Sequence, residues 1–193
     1  MISAVVLAAG ESKRMGQPKM ILPWAEATVI GKVVKTLIEA GIDQIVVVTG
    51  SARNEVEHAL DGYSVDIEFN QEYASGEMLK SAQTGIIALG KDIDATLIVL
   101  GDQPQIEQTT VTLILERYAS THQKIIVPSY TLHRGHPWLV DRVLWQEILE
   151  LSSPKSLRDF LDKNKHIIDY INVNTPSVLQ DVDTPKDYAQ YHP

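Results

Sequence analysis

Apolar residues along this chain fall into two alternating patterns. Short runs that are apolar at nearly every position, "ISAVVLAA", "DQIVVVTG", "ATLIVLGD" and "KIIVPSY", predict strands buried on both faces. Between them, apolar residues recur three and four positions apart. "IGKVVKTLIEAG", "SARNEVEHALDG", "EMLKSAQTGIIAL" and "EQTTVTLILERYAST" therefore predict amphipathic helices. Gly41 and Gly62 stand where the first two helices should stop, and Ser51 stands as an N-cap for the second. "VDIEFN" predicts a further strand after that helix. The second half is less regular. "GHPWLVD" and "HIIDYINV" predict strands, and "RVLWQEILEL", "SPKSLRDFLDKN" and "TPKDYAQY" predict helices. Ser153-Pro154 suits an N-cap with proline at the first helical position.

Strand–helix alternation with fully apolar strands predicts an α/β fold of three layers, a mostly parallel central sheet between helices. No repeat or linker interrupts the 193 residues, so one domain over residues 1–193 is expected. Ligands of such sheets bind outside the carboxyl ends of the strands. That rule gathers residues 9–19, 50–53, 70–78 and 101–105 on one rim.

Composition narrows the choice. The absence of cysteine excludes a disulfide framework, zinc–thiolate and iron–sulfur sites, and a thiol nucleophile, and it fits a cytoplasmic location. The opening residues lack a basic leader, so no secretory signal is expected there, and no run approaches the roughly 18 apolar residues that cross a bilayer. Seventeen basic against 25 acidic side chains give a net charge of −8. Such a field repels nucleic acid and anionic membrane, and neither is expected as a partner. A bound anion needs a local positive site.

The loop "AAGESKRMGQPK" is the best candidate. Gly10 and Gly16 let backbone N–H groups approach an anion, Arg14 can bind phosphate oxygens bidentately, and Lys19 adds a mobile point charge. Neither G-x-G-x-x-G nor G-x-x-x-x-G-K-[ST] is satisfied, and a solvated loop with ordinary surface cations fits the composition equally well. Ser12 either donates to a phosphate or caps the loop. Asp102, directly after an apolar strand, can hold Mg²⁺ or cap a turn. Asp181 and Asp183 alternate on an extended segment, with Asp183 or Thr184 as the N-cap of the last helix. Ser81 and Gly85 share a helix face, where small residues admit either a ligand or a closely packed strand. His133 and His136 flank Arg134-Gly135 at a spacing too short for a zinc site with no third ligand near, which leaves a structural turn or general-base work by His136. Trp24, Trp138 and Trp145 read as packing residues, and the charged stretch 155–165 as a solvated helix face.

Residues Leu7 to Lys19 read L-A-A-G-x-S-x-R-M-G-x-x-K and continue into "KMILPW". This stretch resembles the signature of the MobA-like nucleotidyltransferases and, more narrowly, of the molybdenum cofactor cytidylyltransferases. The resemblance implies a Rossmann-like nucleotidyltransferase fold whose first loop wraps a triphosphate. Leu7, Ala8 and Ala9 would pass under the base, with Gly10 and Ser12 on the nucleotide and Arg14 and Lys19 on the phosphates. "GDQP" resembles the family's metal-binding motif, which assigns Mg²⁺ to Asp102, and D-x-D-T-P resembles the late motif in which Asp183 completes that site. Arg14, Lys19 and Asp102 would then carry catalysis. G-x-x-x-x-S-x-x-x-G implies that Gly76, Ser81 and Gly85 line the base pocket, although this chain reads Gly-Glu-Met-Leu where family members often have Gly-Met-Ser or Gly-Met-Leu. R-G-H-P implies that Arg134 and His136 face the acceptor.

The implied reaction moves CMP from CTP to the terminal phosphate of molybdopterin-type cofactor and releases pyrophosphate. A molybdoenzyme or its maturation factor would be the downstream partner. Transfer from another nucleoside triphosphate to a sugar phosphate or other small phosphate is the alternative, and a non-catalytic nucleotide sensor or cofactor chaperone a second.

Overall fold

The computed structural model describes residues 1–75 and 78–193. The chain runs β1 (Ile2–Ala8), a small hairpin of β2 (Pro23–Trp24) and β3 (Ala27–Thr28), α1 (Val29–Glu39), β4 (Gln44–Thr49), α2 (Arg53–Ala59) and β5 (Asp66–Phe69). It continues through α3 (Met78–Ala88), β6 (Ala95–Leu100), α4 (Gln108–Thr121), β7 (Ile125–Tyr130), β8 (His133–Arg134) and β9 (Trp138–Asp141). It ends with α5 (Trp145–Leu149), α6 (Leu157–Lys163), β10 (Ile168–Asn172) and α7 (Pro185–Tyr191).

The main sheet has the order β10-β7-β9-β6-β1-β4-β5, with β8 paired to β7. β1 pairs in parallel with both β4 and β6, β5 with β4, and β10 with β7. β9 lies antiparallel between β6 and β7, and the short β8 pairs antiparallel with β7. The sheet is therefore mixed but mostly parallel. Alternate residues of each strand feed opposite faces, the period-2 consequence of the pleat. Ala4, Val6 and Ala8 of β1 join a core with Ile30, Val34 and Leu37 of α1 and Val111 and Ile114 of α4. Val5 and Leu7 join another with Ala82 and Ile86 of α3, Ile148 of α5 and Phe160 of α6. Both faces are covered, which is why β1 is apolar but for Ser3, whose buried hydroxyl donates to Thr96 of β6.

Local signals resolve as chemistry dictates. Thr28 caps α1 by accepting from the Gly31 N–H, and Gly41 just beyond the helix has φ +83°, a left-handed conformation open to glycine. Ser51 is not a cap. α2 begins at Arg53 after Ala52, and the Ser51 hydroxyl instead donates to the Gly10 carbonyl, tying the second loop of the rim to the first. Nor does Ser153-Pro154 start a helix. Ser156 caps α6, because Asp159 stands three residues on and closes a reciprocal capping box with it.

β1 is flanked by β4 on one side and β6 on the other, and the chain reaches β5 and β9 in opposite directions from there. The sheet thus reverses its strand order at β1 and β6, the position where such folds open a crevice.

Candidate active site

The loop after β1 is built by its own hydrogen bonds. Ser12 has φ +52°, unusual for a residue with a side chain, and its carbonyl accepts from the N–H groups of Met15 (3.0 Å) and Gly16 (3.1 Å). The Ser12 hydroxyl accepts from the Lys19 N–H at 3.1 Å. Met15, Leu22 and Trp24 bury themselves with Val29 and Val182, with Tyr188 packed alongside. This apolar staple holds the loop against the last helix. A short 3₁₀ turn, Lys19–Ile21, then turns the Lys19 side chain inward, where it keeps 9% exposure.

Two distant acids meet that lysine. Gly101 lets β6 end beside β1, since a Cβ there would stand 2.9 Å from the Leu7 carbonyl oxygen. Asp102 follows. Its carbonyl accepts from the Val182 N–H at 2.9 Å, and this backbone bond carries the neighbouring Asp183 to the same place. The Lys19 ammonium donates to Asp102 Oδ2 at 2.5 Å and to Asp183 Oδ1 at 2.6 Å. Two oxygens within 2.6 Å of one nitrogen are no further apart than twice that distance, so at most a small movement of either carboxylate brings both within the ~4.2 Å span of a single cation at ~2.1 Å metal–oxygen distances. Burial works to lower the Lys19 pKa, but the charges and hydrogen bonds of Asp102 and Asp183 outweigh it and hold the ammonium above its ordinary range. Arg14 reaches Asp183 Oδ2 at 2.6 Å from a side chain that is 71% exposed, a pair that contributes little to stability and leaves the guanidinium free to move.

Asp181 is the third acid here. Gln103, buried, donates to it at 2.5 Å. Partial desolvation within the cleft, then the nearby Asp102 charge, raises the Asp181 pKa, although the residue keeps contact with solvent. Among the described residues, no cluster of three or more His, Asp or Glu forms a metal cage. The Asp102–Asp183 pair still fits a hard divalent ion that takes one or two carboxylates and completes its shell with water and phosphate oxygens. Asp183 in turn is fixed by the capping box of α7, in which Thr184 accepts from the Asp187 N–H and the Asp187 carboxylate accepts from the Thr184 N–H at 2.8 Å. Thr184→Ala is expected to lower stability by about 1 kcal/mol, read as a shift in the urea midpoint.

These groups line a cleft of about 960 Å³ over the strand ends. Leu7, Ala9, Gly10, Arg14, Lys19, Ser81, Asp102 and Asp183 all border it, as do Arg134 and His136. Three expected residues stand back from it. Ala8 points into the core on the far face of the sheet, the Ser12 hydroxyl accepts from the Lys19 N–H and so closes the loop, and Gly85 packs so closely on β1 that an added Cβ would lie 2.2 Å from Val5 Cγ1. Their contribution is to shape the backbone. Gly76 lies outside the described residues. The cleft also recruits Tyr73, Gln103, Lys155 and Arg158, which sequence reasoning missed, and part of the stretch read as a solvated helix face proves to be cleft wall. Trp24 and Trp145 do pack in the interior, whereas Trp138 packs and borders the cleft at once.

The cleft has two halves divided by β6. On the β1 and β4 side its floor is small and apolar, from Leu7 and Ala9. On the β9 side, Ile98 pairs with Trp138 in antiparallel register, and this brings His136 alongside the end of β6. The His136 ring stacks on Trp138 with centroids 4.2 Å apart and planes 19° from parallel. Arg134 nearby donates to the Tyr170 hydroxyl at 2.8 Å and to Asp162 at 2.7 Å. Burial, aided by the Arg158 charge, pushes the His136 pKa down to about 4, so its imidazole is neutral at pH 7. The unfolded chain takes up a proton near pH 6.5 and the native state does so only near 4. Stability should therefore fall as pH drops from 6.5 toward 4, and His136→Phe should flatten that slope in urea titrations at pH 7 and 5.

A cationic turn paired with two acids in a crevice at the carboxyl edge of a mostly parallel sheet, together with similarity to known proteins, places the chain among the nucleotidyltransferases. The chain belongs to the MobA-like NTP transferase domain family, whose model matches residues 4–167. It is 27% identical over 188 residues to the molybdenum cofactor cytidylyltransferase of Escherichia coli K12, covering 97% of this chain and 93% of that one. It is 28% identical over 190 residues to the nicotine blue oxidoreductase of Paenarthrobacter nicotinovorans, covering 95% and 92%. Rv0371c from Mycobacterium tuberculosis H37Rv superposes with a TM-score of 0.85 at 28% identity over 98% of this chain and 96% of that one, and its complex with manganese gives 0.80. A nucleotidyl transferase from Methanothermobacter thermautotroptrophicus superposes at 0.84 with 28% identity, over 100% and 96% of the two chains. No helix among the described residues is long and apolar enough to cross a membrane.

Proposed function

We propose that the protein transfers CMP from CTP to the terminal phosphate of a molybdopterin-type acceptor in a Mg²⁺-dependent reaction. The observation that carries this reading is the convergence of Lys19 on Asp102 and Asp183 at the floor of the cleft. The full-length similarity to a molybdenum cofactor cytidylyltransferase supports the choice of donor and acceptor, and the manganese complex of Rv0371c supports a divalent ion.

The nucleotide would lie over β1 with its base above Leu7 and Ala9 and beside Ser81. Asp102 and Asp183 would hold Mg²⁺, which supplies charge neutralisation at the phosphates when bound. Lys19 and Arg14 leave the acids and bind phosphate oxygens. An acceptor phosphate oxygen attacks the α-phosphorus in line, the bond from that phosphorus to the bridging oxygen of the β-phosphate breaks, and pyrophosphate departs with the electron pair. The nucleophile is already an anion, so neutral His136 has no proton to remove. Its ring and Arg134 instead line the half of the cleft where the acceptor would lie. Positioning and preorganised charge supply the acceleration. The dinucleotide product would pass to a molybdoenzyme or its maturation factor.

The match to nicotine blue oxidoreductase, as extensive as the first, favours a second reading in which the same fold serves a redox reaction. Incubating the purified protein and Mg²⁺ with each of the four nucleoside triphosphates and molybdopterin cofactor separates the two. Mass spectrometry should find the cytidine dinucleotide with stoichiometric pyrophosphate. A guanine product would move the protein to guanylyl transfer, and no product from any triphosphate would reject the reading.

A further inference from the structure

Lys19 stands where the metal ion would have to be. Its Nζ lies 2.5 Å from Asp102 Oδ2 and 2.6 Å from Asp183 Oδ1. A divalent ion sharing those oxygens at ~2.1 Å would fall within the same small volume. An ammonium and a dication cannot both occupy it. To admit the ion, Lys19 must withdraw from both acids, yet its side chain is only 9% exposed and so has little water to replace them. A buried ammonium without an anionic partner is costly. A triphosphate arriving beside the loop offers that partner.

We infer that Lys19 is a placeholder cation that keeps the ligand-free protein from loading a divalent ion, so that metal and triphosphate bind with mutual assistance. The anionic ligand draws Lys19 off the acids, the acids then become free for the metal, and by reciprocity the metal strengthens triphosphate binding by the same factor. Arg14 reinforces the arrangement at the outer oxygen of Asp183, but at 71% exposure it can return to water and is not the barrier. The inference rests on reading this site as one for a metal-bound triphosphate. It does not depend on which base or acceptor is used.

The test is Mn²⁺ binding, followed by the electron paramagnetic resonance signal of the free ion, with no nucleotide present. Wild-type protein should bind weakly, and Lys19→Met should bind about tenfold tighter or more, within the usual range of coupling between sites. Equal affinity in a Lys19→Met protein whose circular dichroism and cooperative melting match wild type overturns the inference while leaving the metal site standing. If neither protein binds Mn²⁺, with or without CTP, the metal-site reading falls as well. A second measurement needs no mutant. In wild-type protein labelled with ¹⁵N at lysine side chains, the Lys19 ammonium resonance should hold its position in millimolar Mg²⁺ and move only when CTP is added. A shift with Mg²⁺ alone overturns the inference.

Discussion

Asp102→Asn is expected to lower turnover by about 10²-fold or more while the protein keeps its fold, the scale seen when a preorganised charge beside the reacting group is lost. The change preserves shape and removes one negative charge from a crowded set of three acids. The change relieves the repulsion between Asp102 and Asp181 but also removes one of the two anionic partners of the buried Lys19 ammonium, so a modest fall in thermal stability is expected. The loss of turnover should far exceed what that small destabilisation could cause, which a mere packing role for Asp102 would not produce. Pyrophosphate release and a melting curve on the same sample decide. Near-normal turnover would remove Asp102 from the mechanism.

Lys19→Met should be comparably severe, about 10²-fold or more in kcat/KM for the triphosphate. Methionine keeps an apolar stem in the 3₁₀ turn that precedes β2 and deletes the charge. The outcome is sharpest beside Arg14→Gln. Arg14 is 71% exposed and holds one oxygen of one acid, whereas Lys19 is 9% exposed and holds two acids together. The lysine change should cost far more than the arginine change. Similar losses for both would mean that diffuse positive charge, rather than the placement of Lys19, governs the reaction.

Much of this architecture could be read from residue patterns, for definite physical reasons. β1, β4, β6 and β7 are buried on both faces, so their runs are apolar without alternation, and their loops must share one rim. That rule put Asp102 and Lys19 on the rim as candidates, and the family resemblance supplied their expected roles on metal and phosphate. What escaped was set by contacts between distant segments. β9 has the composition of any short strand, and its antiparallel direction comes from pairing with β6 and β7. The two-residue strands β2 and β3 carry no periodic signal at all; Trp24, Leu22 and Val182 position that hairpin through tertiary packing. Ser51 has the right chemistry for a cap, but Gly10 offered its hydroxyl a partner across the rim. Gly85 and Ser81 look equivalent on a helix face, yet Val5 fills the space beside Gly85 while Ser81 borders the cleft. Lys155 and Arg158 read as solvated because the helical pattern around them was legible and the cleft behind it was not.

The backbone bond from Val182 to Asp102 bears on what length changes the chain can absorb. Gln103 and Asp181 meet across 78 positions of sequence, but the acids are aligned by contacts within a few residues of each end. Loop-closure entropy grows only with the logarithm of length, about 0.6 kcal/mol for each doubling. Insertions at exposed turns within that span, such as the one carrying Leu132, should therefore leave the acid pair in register. A single added residue between Val182 and Asp183 would instead swing the second carboxylate away from Lys19.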